Sequence, residues 1–240
     1  MRVGAIALFS WGILACVSFG SLADADGTRT TLEPKCSAVN LGAECWKELA
    51  AKPGCHVWDS RHDPERAVDW SGQCAGAVIV GEGTLTWTSD RRSLEQTGTA
   101  ENGKRHGRWV SHGANGEVAE GPYVDGRRHG PWVSRAADGF VMEGTFVDGE
   151  MQGHWIWRKA DGSVTAGPVV DGKRHGYWVR RQTDGTVFEG SFAEGKKHGR
   201  WLMHNGAVGS CTFVEFNHGD EIDSWEPPTG ACPSSGSAAN

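Results

Sequence analysis

The chain has 240 residues, 35 glycines, 12 tryptophans, seven cysteines and a formal net charge of −6. A mature chain of about 215 residues can fold as one domain, and no nucleic-acid partner is expected of it. Gly-x-Ser-x-Gly, His-Glu-x-x-His, a Walker loop and a dinucleotide fingerprint are all missing, so no catalytic residue and no cofactor are expected.

Residues 1–25 read as a secretory signal. Arg2 precedes an apolar run from Val3 to Val17, and Ala23-Asp24-Ala25 places small residues three and one positions before a cut at Asp26. The chain is then exported, periplasmic or secreted. The alternative is a lipoprotein anchored through Cys16 of Ile13-Leu14-Ala15-Cys16, against which stand Leu14 and the apolar run that continues past Cys16. A retained membrane anchor is the third reading, but the run is short for a span.

Removing the signal leaves Cys36, Cys45, Cys55, Cys74, Cys211 and Cys232, an even number that reads as disulfides in an exported chain. Sequence does not fix the pairing. Neighbour pairing, Cys36 with Cys45, Cys55 with Cys74 and Cys211 with Cys232, is the expectation, because the cysteines flank the central region at both ends. No Cys-x-x-Cys spacing supports a metal.

Residues 26–67 form a cysteine-bearing cap, loose to about Pro34. Ala43 to Lys52 reads as a short helix with Trp46, Leu49 and Ala50 on one face and Pro53-Gly54 as its stop. Cys55 to Asp59 and Ala67 to Gly72 read as strands. Residues 68–102 read as a degenerate copy of the unit repeated over residues 103–214: Gly98 lies in phase with Gly121, whereas Trp87 comes one residue late.

Residues 103–214 repeat one phrase five times. The first glycine recurs at Gly103, Gly126, Gly149, Gly172 and Gly195, and a tryptophan at Trp109, Trp132, Trp155, Trp178 and Trp201, every 23 residues. A fixed period in this range marks a stacked array. Each copy holds two short β-rich runs and two turns, Asn115-Gly116 and Asp125-Gly126 in the first, which predict hairpins with type I′ geometry. Gly107, Gly130, Gly153, Gly176 and Gly199, two residues before each Trp, predict either a backbone kink or the floor on which an indole lies. The third copy departs from the pattern: Glu150-Met151-Gln152 replaces the basic residues and His, Ala166 replaces a Glu, Val169 replaces an aromatic, and Trp157 is added.

Asp171-Gly172-Lys173-Arg174-His175-Gly176-Tyr177-Trp178 and its sister phrases resemble the MORN repeat. The resemblance covers about half the chain directly. It implies an all-β fold, an elongated, twisted antiparallel sheet of stacked hairpins. It also implies roles in protein association and in contact with phospholipid, and no catalytic residue.

Residues 215–240 read as a C-terminal cap and disordered tail, with Asp220, Glu221 and Asp223 as an acidic surface turn rather than a calcium site. A disulfide folding the tail back would blunt the last edge strand.

From Glu101 to Leu202 there are 15 Lys plus Arg against 13 Asp plus Glu, so the acidic excess lies outside the array. The turn cations Lys104, Arg105, Arg127, Arg128, Lys173, Arg174, Lys196 and Lys197 form a candidate stripe for an anionic membrane surface or an acidic partner, set against the plainer reading of solvated turns. His106, His129, His175 and His198 stand at least about 9–10 Å apart at two strands per repeat, too far for shared metal ligation. The leading expectation is a non-enzymatic exported scaffold that binds another protein. The alternative is an envelope-surface module that binds anionic lipid or glycan through its basic turns. A third reading puts an unrecognised enzyme site near His56, Asp59 and His62. An open sheet edge or an exposed aromatic face could support a homodimer.

Overall fold

The computed structural model describes residues 45–59, 65–89, 92–205, 210–227 and 232. The signal segment, Cys16, the polar stretch to Pro34, Cys36, His62 and the tail from Ser234 lie outside the described residues.

Four short strands come first: β1 (Trp46–Glu48), β2 (His56–Trp58), β3 (Ala67–Trp70) and β4 (Gln73–Ala75). The array follows as β5 (Val78–Ser89), β6 (Arg92–Glu101), β7 (Lys104–Gly113), β8 (Val118–Val124), β9 (Arg127–Arg128), β10 (Gly130–Arg135), β11 (Val141–Val147), β12 (Glu150–Arg158), β13 (Val164–Val170), β14 (Lys173–Arg174), β15 (Gly176–Arg181), β16 (Thr186–Ala193), β17 (Lys196–Asn205), β18 (Ser210–Asn217) and β19 (Asp220–Trp225). From β5 to β19 successive strands pair antiparallel, with β9 and β10 sharing β8 and β14 and β15 sharing β13. The result is the open all-β sheet of hairpins that the period predicts.

Two turn types alternate along it. At one end Asn102, Asp125, Asp148, Asp171 and Glu194 all take positive φ near 50°, each followed by a positive-φ glycine, which is type I′ geometry. The Asn-Gly and Asp-Gly turns at the other end differ from expectation. Gly116 alone of its pair has positive φ, its N–H donates to Gly113 O, and Gly113 N–H donates to Glu117 O. That pattern is a three-residue loop with a left-handed third residue. The residue before the glycine acts through its side chain instead: Asn115, Asp138, Asp161 and Asp184 each accept from the N–H two residues on, at 2.7–3.1 Å.

Residues 46–52 are not helical. Trp46 pairs with Trp58 across β1 and β2, and Leu49 N–H donates to Cys55 O around the Pro53-Gly54 turn. A helix would turn Trp46 and Leu49 to one side of a cylinder. The strand instead seats Trp46 on Gly103 and buries Leu49. Cys55 is bonded to Cys74 and Cys211 to Cys232, as expected, and Cys45 is disulfide-bonded as well. These bonds are consistent with an exported, oxidising location.

The core is one row of rings on one face. Trp109, Trp132, Trp155, Trp178 and Trp201 are all at most 8% exposed. The glycines beneath them are not those two residues before each Trp, which have positive φ and kink the strand. They are Gly98, Gly121, Gly144, Gly167 and Gly190 on the neighbouring strand, where any Cβ would overlap the indole of the Trp eleven residues later. Edge-to-face contacts run Trp109, Tyr123, Trp132, Phe146, Trp155, with centroids 5.2–6.2 Å apart, and resume as Trp178, Phe192, Trp201, Phe216. In the gap left by Val169, Trp157 approaches Trp178 at 4.8 Å. The degenerate unit joins the row through Trp70, which lies on Gly83 and stacks on Trp109. Trp87 instead donates its indole N–H to Gln96.

Candidate interaction surface

The cation pairs at the type I′ turns divide between the two faces, because strand residues alternate. The second member of each pair turns to the rings. Arg105 lies 4.3 Å from the Tyr123 centroid, Arg128 4.5 Å from Trp132, Arg174 4.1 Å from Phe192 and Lys197 4.6 Å from Phe216. Arg105 is buried and donates to Gln96 Oε1 and the Tyr123 hydroxyl, so it is a core cation and unavailable to a ligand. Met151 takes this place in the third repeat. The first members, Lys104, Arg127, Lys173 and Lys196, lie on the opposite face, with Glu150 in the third repeat. Thus four of the eight expected stripe residues face the ring layer, and four lie along the turn edge, Lys104 and Arg127 against Trp58 and, beyond Glu150, Lys173 and Lys196 exposed.

The turns of that edge are joined to one another. Gly126 N–H donates to Arg105 O, Gly149 to Arg128 O, Gly172 to Met151 O, Gly195 to Arg174 O and Gly219 to Lys197 O, at 2.8–3.0 Å. Gly219 belongs to a sixth turn, His218-Gly219, 24 residues after Gly195 rather than 23. That one-residue slip hid it from the period. Residues 220–225 therefore form the edge strand β19 and not an acidic surface turn. Cys211 sits on the penultimate strand β18, and its bond to Cys232 ties the segment after β19 back to that strand. The edge strand carries Asp220, Glu221 and Asp223, and a two-fold pairing of two such strands would set like charges against each other.

Across three of the five type I′ turns the first charged residue faces a valine that composition alone did not single out, where the first and fifth turns have Glu101 and Ala193. Val124 pairs with Arg127, Val147 with Glu150 and Val170 with Lys173. These valines are 41, 42 and 46% exposed, and they repeat at the 23-residue period, which was the signal that could have found them.

Further along the same face the carboxylates are tied to their own sheet. Glu120 meets Arg108 and Arg135, and the Arg108 hydrogen bond foremost holds it below the ordinary glutamate range. Glu143 meets Arg158 at 2.6 Å. Glu189 is buried beside Tyr177, and burial first, then that carboxylate, pushes the phenol above the ordinary tyrosine range. Ala166, where a fourth Glu would stand, lies between Ile156 and Val179 in one cross-strand row.

The histidines and the cap residues do not converge. His129 lies 3.5 Å from Asp148, His198 packs on His218, and His56 Nδ1 stands 3.1 Å from Ala77 O. Asp59 is buried with its N–H on Cys45 O. Among the described residues no group of three or more His, Cys, Asp or Glu is disposed to hold a metal ion. A shallow, open cavity of about 120 Å³ lies on the ring face beside Leu94, Ser111, Ala119 and Arg128, where the first repeat has small side chains. No family model matches the sequence, and no curated protein matches it.

Proposed function

We propose that this chain is a MORN-like exported scaffold without catalytic activity, which holds another protein along the turn edge of its sheet. The observation that carries the reading is the row of exposed valines, Val124, Val147 and Val170, each set beside a charged residue of the adjoining turn. Two strands per repeat space them about 10 Å apart, a regular line of apolar steps that a single extended partner can follow. Cross-linked capture from native cell envelope tests it. The wild-type chain should recover a protein that the Val147→Asp/Val170→Asp variant does not. Recovery of nothing by a monomeric, folded chain would sink the reading. Signal cleavage before Asp26 puts the protein in the periplasm or outside the cell, which fractionation and N-terminal sequencing check.

A second reading has Lys104, Arg127, Lys173 and Lys196 engage anionic lipid or glycan from the same edge. It is favoured by their shared face and opposed by Glu150, which interrupts them. Co-sedimentation with anionic liposomes at low and physiological salt, compared with neutral liposomes, decides it: binding must fall with salt and with Lys173→Glu/Lys196→Glu.

A further inference from the structure

The chain already shows how an aromatic ring seats on its turn edge. Trp46 lies on Gly103 and Trp58 on Gly126, each so close that a Cβ at the glycine would collide with the ring. Trp58 is further flanked by Lys104 and Arg127, whose cationic groups stand 5.7 and 5.9 Å from its centroid. Its backbone is fastened to the same edge, with Trp58 N–H donating to Gly103 O at 2.8 Å. Three elements make the seat: a side-chain-free turn residue, a cation from the turn before and a cation from the turn itself.

Among the described residues the later turns repeat the glycine without the ring. Gly149, Gly172, Gly195 and Gly219 keep the positive φ and the N–H bond to the preceding turn, so their planes are presented as at Gly126. Whereas Gly103 and Gly126 are buried, Gly149, Gly172 and Gly219 are exposed and Gly195 is partly so. Their flanks differ. Gly149 lies between Arg127 and Glu150, Gly172 between Glu150 and Lys173, and Gly219 between Lys196 and Asp220. Gly195 alone of the four has a cation on both sides, Lys173 and Lys196, and at it the nearest neighbour a Cβ would meet is the Lys173 stem at 3.9 Å. Lys173 is held over this turn by Glu194 at 2.8 Å, as an exposed pair.

We infer that Gly195, between Lys173 and Lys196, is a docking seat for a tryptophan side chain carried on an acidic segment of the partner. The occupant follows from the template and from charge: an indole fills the seat at Gly126, and acidic neighbours of the indole complement two lysines and displace Glu194 from Lys173. A ring on a cation pair gains from the quadrupole as well as from area. The seat continues the interface that the cap makes with the first two turns. It deepens the scaffold reading and rests on it, since it names one contact on the proposed edge.

The test uses the full mature chain and a synthetic peptide with one tryptophan between two acidic residues on each side, followed by amide chemical shifts. Saturable shifts at Lys173, Gly195 and Lys196 are expected. Binding should weaken about tenfold when the peptide tryptophan becomes alanine, and about tenfold for Lys173→Glu/Lys196→Glu, as loss of a cation–ring contact implies. Lack of shifts at these residues, or shifts indifferent to the indole or to the two lysines, overturns the seat. Shifts confined to the Val124 to Val170 row also overturn it. The scaffold reading is judged apart from this: a partner captured from the envelope equally well by Lys173→Glu/Lys196→Glu leaves the scaffold standing and removes the seat.

Discussion

Trp178 lies on Gly167, with its indole N–H donating to Pro168 O at 2.8 Å, and the ring occupies the space a side chain at 167 would need. Gly167→Ala should therefore destabilise the chain by about 1–3 kcal/mol, the cost of overpacking, and Trp178→Ala by about 3–5 kcal/mol. The double variant should cost less than the two together, since the methyl clashes only with the ring. Denaturant unfolding of the three variants measures the coupling, and additive costs would show that the ring is not what excludes the methyl.

Trp157 restores an aromatic contact that Val169 cannot make, and it stands 4.8 Å from Trp178. Trp157→Ala should lower stability by about 3 kcal/mol or more. Adding Val169→Phe should recover part of that loss, because every neighbouring repeat carries an aromatic at this place. Thermal melts of the single and double variants check it, and no recovery would mean that Trp157 acts by filling volume alone.

Cys55–Cys74 and Cys211–Cys232 close segments with sequence separations of 19 and 21 residues. Loop closure of that length is worth about 3 kcal/mol per bond. Cys55→Ser/Cys74→Ser should loosen the cap against the first repeats. Cys211→Ser/Cys232→Ser should instead affect the last hairpins, and hydrogen exchange read by segment separates the two.

Tyr177 is held above the ordinary tyrosine range by burial and by Glu189. A raised folded pKa gives stability that is whole below the unfolded value, about 10, and is lost as pH rises past it. The chain should accordingly unfold more readily in alkali than the Tyr177→Phe variant, as followed by circular dichroism from neutral pH upward. Asp184 works in the other direction. The Thr186 backbone N–H holds its carboxyl low, so its contribution is present above the unfolded value, about 3.9, and is lost in acid.

Much of the array was legible because the period carries it. The glycine after each of Asn102, Asp125, Asp148, Asp171 and Glu194 announced a turn, and the tryptophans fixed the phase. Besides the slipped turn at His218-Gly219, three things were not legible, each for a reason of register or distance. Two glycines per repeat lie near each Trp in the chain or across it, and only cross-strand pairing decides that Gly167 rather than Gly176 is the floor. Trp46-Lys47-Glu48 is too short to declare itself, and it becomes a strand only because Trp58 and Gly103 are there to receive it. Arg105 and Lys104 are adjacent in sequence and similar in charge, yet alternation sends one into the ring layer and the other to the turn edge.

The column of hydrogen bonds from each turn glycine to the turn before it makes no use of side chains. Duplicating or deleting 23 residues between any two turns leaves each remaining glycine with a carbonyl to meet, so the molecule can change length without relearning how to fold. Each such event would move the two disulfide-bearing ends by about 10 Å, two strand widths. The array is thus a ruler whose graduations are inherited whole.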